Sequence, residues 1–203
     1  MKMFTNTTAI ENGKIRWTLF DSKNNQYDWE IPIKTYESYI QLSTYPTQTI
    51  QYSDGRLENI GEFSNHVVKF FTNVINDTYE NSHNDNDFIF EVWHLVSNLT
   101  VYSSDIGEYP RYALETLVRG GGDCEDTVIL MADMLKSSKH TKNWKIQMVY
   151  FDSHNPTNPK HVNHVALAVD TGTSRGILET TAKNISDLNI WNINTVVGYW
   201  SDV

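Results

Sequence analysis

The chain has a single cysteine, Cys124, set between three consecutive glycines, Gly120 to Gly122, and an apolar helical repeat. A lone cysteine is commonly a small buried hydrophobe. Here Asp123, Glu125 and Asp126 flank it, and charged side chains are rarely buried without partners. Val128, Met131, Ala132 and Leu135 follow at i, i+3, i+4 and i+7, so the spacing predicts a helix that starts at or just after the cysteine. The unpaired N–H groups and dipole of a helix start favour a thiolate, and the same N–H groups can hold an oxyanion. The three acids oppose this, because like charge raises a thiol pKa. A reactive thiolate therefore needs a cation beside it, and a histidine imidazolium is the natural one.

Seven histidines are available, at 66, 83, 94, 140, 154, 161 and 164. His66 and His94 fall within helical patterns, and His83, His140 and His154 within polar loops. His161 and His164 flank the start of an apolar strand, HVNHVALAVD. Strand alternation groups His164 with Ala166 and Ala168, and His161 with Val165, Leu167 and Val169. The small residues leave room for a helix end, which favours His164 as the histidine facing Cys124. A catalytic histidine also needs a partner on its other nitrogen. Glu179 lies in the next predicted strand, ILETTA, beyond a turn containing Gly172 and Gly176. A hairpin there would bring it beside His164; otherwise it is an exposed strand glutamate.

Several elements must position these groups. Lys14–Phe20, Tyr27–Ile33, Trp144–Phe151, Val162–Asp170, Gly176–Thr181 and Thr195–Trp200 read as strands. DSKNNQ and Asp54-Gly55 read as turns. Val67, Phe70, Phe71, Val74 and Thr78 keep helical spacing, as do Ile89, Val92, Trp93, Val96 and Leu99. Strands, then helices, then strands predict an α+β fold and not an alternating α/β one. Residues 1–60 are expected to form a β-rich extension packed on a core of residues 61–203. The net charge of −9 argues against a general nucleic-acid binder. One cysteine excludes an intrachain disulfide and a thiolate-rich zinc site. No apolar run is long enough to span a membrane and no secretory leader is visible, so a soluble, cytoplasmic protein is expected.

Taken together, GGGDCEDT with its following helix, NHVALAVD and GILETT resemble the transglutaminase-like superfamily of papain-like cysteine enzymes. The flavour is that of its bacterial and archaeal transglutaminase-like cysteine proteinase branch. The upstream VWHLVSNLTVYSSD and the lead YPRYALETL, Tyr109–Leu117, fit the same pattern, and the resemblance spans residues 88–181. It implies a papain-like core, helices packed on an antiparallel sheet, with Cys124 as nucleophile, His164 as base and Glu179 as orienting acid. The family more often has Asp at this third position. It also suggests Asn98 as a side-chain oxyanion donor, where many members have Gln.

Related bacterial periplasmic proteases of this branch use acids around the cysteine for calcium. Asp123 and Asp126 thus read as Ca2+ ligands or as helix caps, and capping is preferred; no cofactor is required. The implied chemistry is thiol-dependent acyl transfer on a protein or peptide substrate. Water as acceptor gives a peptidase or amidase, and an amine gives a transglutaminase. The alternative from another class is a non-catalytic binding module that keeps the fold. Metal-dependent hydrolysis through Asp123, Asp126 and His161 matches no standard ligand spacing. These motifs specify no oligomeric state.

Overall fold

Alternating apolar residues build the first layer. In a computed structural model, which describes residues 5–20, 26–42, 49–52, 55–65, 71–104, 109–184, 186 and 190–203, strands β1 (Thr5–Glu11), β2 (Lys14–Phe20) and β3 (Gln26–Pro32) form an antiparallel meander. Ile15 lies opposite Ile31 and Trp17 opposite Trp29, and all four point into the core. Arg16 and Glu30 pair on the outer face at 3.0 Å. Helix α1 (Ile33–Ile40) follows directly, where the sequence pattern predicts only strands. Ile33, Tyr36 and Tyr39, three residues apart, lie on its inner side against the core. Strands β4 (Thr49–Tyr52) and β5 (Gly55–Glu58) form a hairpin. The expected turns at 21–25 and Asp54 lie outside the described residues, as do His66, Val67 and Phe70.

After a 3-10 turn at Ile60–Asn65, helix α2 (Phe71–Glu80) leads to α3 (Asp85–Leu99). The Asn84 side chain caps α3, its Oδ1 accepting the Asp87 N–H at 3.0 Å. A short strand β6 (Val101–Tyr102), helix α4 (Ala113–Arg119) and a second short strand β7 (Gly121–Gly122) then approach helix α5 (Cys124–Lys136). The chain ends in a five-stranded antiparallel sheet of β8 (Lys145–Phe151), β9 (His164–Asp170), β10 (Arg175–Leu178), β11 (Ile190–Trp191) and β12 (Gly198–Asp202), in the order β11-β10-β9-β8-β12. The fold is α+β, with helices packed on an antiparallel sheet. No helix among the described residues is long and apolar enough to cross a membrane.

Helix α5 is buried from Asp126 to Leu135, so it is the central helix. It shares one apolar cluster with α3, with Trp17 and Trp29 of the meander, and with Ile146, Met148, Val165, Leu167 and Val169 of the sheet. Ala166 and Ala168 belong instead to a second cluster with Val149, Phe151, Ile177 and Val196, covered by Trp191, Ile193 and Trp200. This corrects the parity argument for His164. The helix-facing row of β9 is the branched one, and the small residues make room for large aromatics on the opposite face.

Candidate functional site

The site is assembled at the start of α5. Strands β6 and β7 pair in parallel, Val101 beside Gly121 and Tyr102 beside Gly122. The Val101 N–H donates to the Gly120 carbonyl at 2.8 Å, and the Ser103 N–H to that of Gly122 at 3.0 Å. A Cβ on Gly121 would lie 2.0 Å from the Val101 carbonyl oxygen, so only glycine permits this approach. A Cβ on Gly122 would lie 1.9 Å from Asp126 Oδ2. The glycine run thus serves chain-to-chain packing, and it delivers Cys124 as the first residue of α5.

Asp126 is fully buried and is held by Arg111, whose backbone N–H donates to Oδ1 at 2.9 Å and whose guanidinium pairs with Oδ2. Asp123 occupies the N-cap position, but its side chain makes no capping hydrogen bond. The capping role expected for these two acids is therefore replaced. Asp126 anchors the Arg111 segment, and Asp123 pairs with the carboxyl of Glu125. Among the described residues no group of three or more His, Cys, Asp or Glu side chains is arranged to hold a metal ion.

Cys124 is partly exposed. The main chain of Val165 hydrogen-bonds its sulfur, which places Sγ at the first peptide of β9, next to His164. The thiol itself donates to Glu125 Oε2 at 3.2 Å. Burial, the Glu125 carboxylate and Asp123 push the thiol up, against the help of Val165. The sequence predicts a depressed thiol, so the structure reverses the direction. Burial is the largest cause, and the groups beside the sulfur are acids and not the imidazole.

His164 Nε2 lies 2.8 Å from Glu179 Oε2, and each side chain is 13% exposed. Glu179 sits one residue past the end of β10, on the face shared by Ile177 and His164. Its Oε1 accepts the Thr181 N–H at 2.9 Å and the Thr181 hydroxyl at 2.6 Å. Burial alone would raise the Glu179 carboxyl, but His164 and Thr181 together hold it below the usual carboxylate range. Two helices fix this segment. The Trp93 indole of α3 donates to the Glu179 carbonyl at 3.1 Å, and Thr127 of α5 meets Thr180 hydroxyl to hydroxyl at 2.9 Å. The rings of Phe151 and Trp191 flank the imidazole, with centroids at 5.7 and 6.1 Å.

His161 is exposed in the loop before β9 and is not a strand residue. That loop is organised by Asp152, fully buried, which accepts the N–H groups of His154, Asn155 and Lys160 at 3.0, 3.1 and 3.0 Å. Asn98 is near the end of α3, and its amide donates back to the His94 carbonyl at 2.6 Å. Tyr102 is a residue the sequence pattern did not single out. Its side chain is half exposed, yet partial desolvation of the hydroxyl and the charges of Cys124, Asp123, Glu125 and Glu179 raise it, so it stays protonated. Only its position after an apolar helix and before the glycine run could have drawn notice.

No protein-family model matches the chain, and no curated protein matches it. Among solved structures, one described as "a putative cysteine protease" from Cytophaga hutchinsonii aligns with 99% of this chain and 73% of its own, at 10% identity and a TM-score of 0.43. A likeness at that level says nothing about chemistry. What the geometry offers is a sulfur at a helix start, an imidazole held by a carboxylate at the adjoining strand, and protonated donors nearby. Those parts suit nucleophilic attack on a carbonyl.

Proposed function

We propose that this protein is a thiol-dependent acyl-transfer enzyme with a transglutaminase-like core, acting as a cysteine peptidase or amidase. The observation that carries this reading is the hydrogen bond between the Val165 main chain and the Cys124 sulfur at the start of α5, one residue along β9 from the His164–Glu179 pair. Glu179 holds Nε2, which leaves Nδ1 of His164 to take the thiol proton. The thiolate attacks the carbonyl carbon of a peptide or glutamine-type amide. The Cys124 backbone N–H, at the free end of α5, stabilises the oxyanion. The Tyr102 hydroxyl supports it better than Asn98, whose amide is spent on its own helix. The imidazolium returns its proton to the leaving amine, and water then cleaves the thioester. An amine in place of water makes the same site a transglutaminase.

The test is acylation of the protein by an activated ester, and hydrolysis of a fluorogenic peptide mixture, across four variants. Cys124→Ala and His164→Ala abolish both. His161→Ala leaves both intact. Glu179→Ala retains about a hundredfold more activity than Cys124→Ala, the spread between orienting residue and nucleophile in a well-studied serine protease. Incorporation of a dansylated amine into casein would assign transamidation. A wild-type chain that is never acylated at Cys124 refutes the reading and leaves a binding module.

A further inference from the structure

The buried acids around Cys124 differ in what balances them. Asp126 has Arg111, and Glu179 has His164. Among the described residues Asp123 and Glu125 have no cation. Asp123 Oδ1 is buried without a hydrogen-bond partner, and the two carboxyls are hydrogen-bonded to each other. Adjacent residues of a helix do not face one another. Glu125 nevertheless folds back across the helix end to bring Oε2 within 3.2 Å of the Cys124 sulfur. Among the described residues no hydrogen bond joins that sulfur to the His164 imidazole.

We propose that Glu125 is a resting-state clamp on Cys124: its carboxylate accepts the thiol hydrogen and keeps the sulfur neutral until Glu125 turns away or takes up a proton, which releases the thiol to His164. The proposal rests on Cys124 being the nucleophile. On release the S–H bond breaks, the proton goes to Nδ1 of His164, and a thiolate–imidazolium pair remains. The groups around the clamp are Asp123 and Cys124 on the same turn and Tyr102 from β6, whose hydroxyl also feels Glu179. Burial and the Asp123 carboxylate push the Glu125 carboxyl up to about 8, so it exchanges its proton near neutral pH. The thiol is held hardest above that value, where Glu125 is ionised.

The experiment measures the rate of Cys124 alkylation by iodoacetamide between about pH 6 and 10, by mass spectrometry. Alkylation needs a thiolate but no acyl chemistry, so it stands or falls apart from the proposed enzyme activity. Glu125→Gln is expected to react at least about tenfold faster than wild type at pH 9, where Glu125 is ionised, with its profile moved down by at least about one pH unit, and the gain is expected to shrink toward pH 6. Adding His164→Ala is expected to remove the gain. A Glu125→Gln protein that reacts no faster overturns the clamp, as does a gain that survives His164→Ala. If Glu125→Gln does not fold, Glu125→Asp decides. Its carboxylate is drawn back by one methylene; a faster reaction upholds the clamp, and an equal or slower one overturns it.

Discussion

Arg111 grips Asp126 from two sides, its backbone N–H on one carboxylate oxygen and its guanidinium on the other. Through this pair the segment before α4 is tied to the first turn of α5, two residues beyond the cysteine. Removing one partner of a buried pair strands the other charge, which costs about 3–5 kcal/mol. Arg111→Met is therefore expected to lower unfolding stability by about that much in a urea titration. Gly122→Ala should act in the same direction by driving a methyl group into Asp126. A loss below about 1 kcal/mol in Arg111→Met would mean the pair is a surface-like contact.

Because Asp126 is already spent on Arg111, a chelator is expected to leave the melting temperature and any activity unchanged. Thermal melts with EDTA and with added calcium test this. Binding to the native state raises stability, so a rise of several degrees with calcium would assign a calcium site at the α5 start.

The Glu179 carboxyl is lower in the folded protein than in the unfolded chain, where it sits near about 4.3. Its contribution to stability is therefore fully present above the unfolded value and is lost as pH falls through the folded one. Acid titrations of wild type and Glu179→Gln should converge as pH drops below about 4. Curves that stay parallel throughout would show that the His164 contact does not persist in solution.

Asp152 shapes the loop that delivers His164. Burial opposes its ionisation, but the N–H groups of Lys160, Asn155 and His154 win and hold the carboxyl well below its usual range. Asp152→Ala leaves those three donors without their acceptor. Hydrogen exchange of residues 153–163 should accelerate and the melting temperature should fall, while β8 amides stay protected. Unchanged exchange in the loop would show that it is held by other contacts.

Much of the site was legible in residue type and spacing. The apolar repeat after Cys124 dictates a helix, and α5 begins at that cysteine. Alternation in VALAVD dictates a strand, and β9 covers it. Glu179 falls on the His164 face because the turn between β9 and β10 sets the register of the pair. These are local properties, encoded within ten or twenty residues of one another. Helix α1 was not legible, because a short aromatic segment after Pro32 carries no decisive period.

Only the tertiary structure decided which layer covers each face of β9, since alternation distinguishes two faces without naming what packs on them. The partner of Ala166 and Ala168 is a C-terminal aromatic cluster that includes Trp191 and Trp200, and α5 meets the branched row. Tyr102 comes within electrostatic range of the cysteine because a parallel strand pair joins residues nineteen or twenty positions apart, through Gly121. The charge state of Cys124 likewise depends on long-range placement. Three carboxylates flank it in sequence and seven histidines are spread along the chain, but burial and the turn of one side chain direct its thiol hydrogen to Glu125. The chain specifies which groups can do chemistry; the fold alone sets the distances of a few ångströms over which charge and hydrogen bonding act.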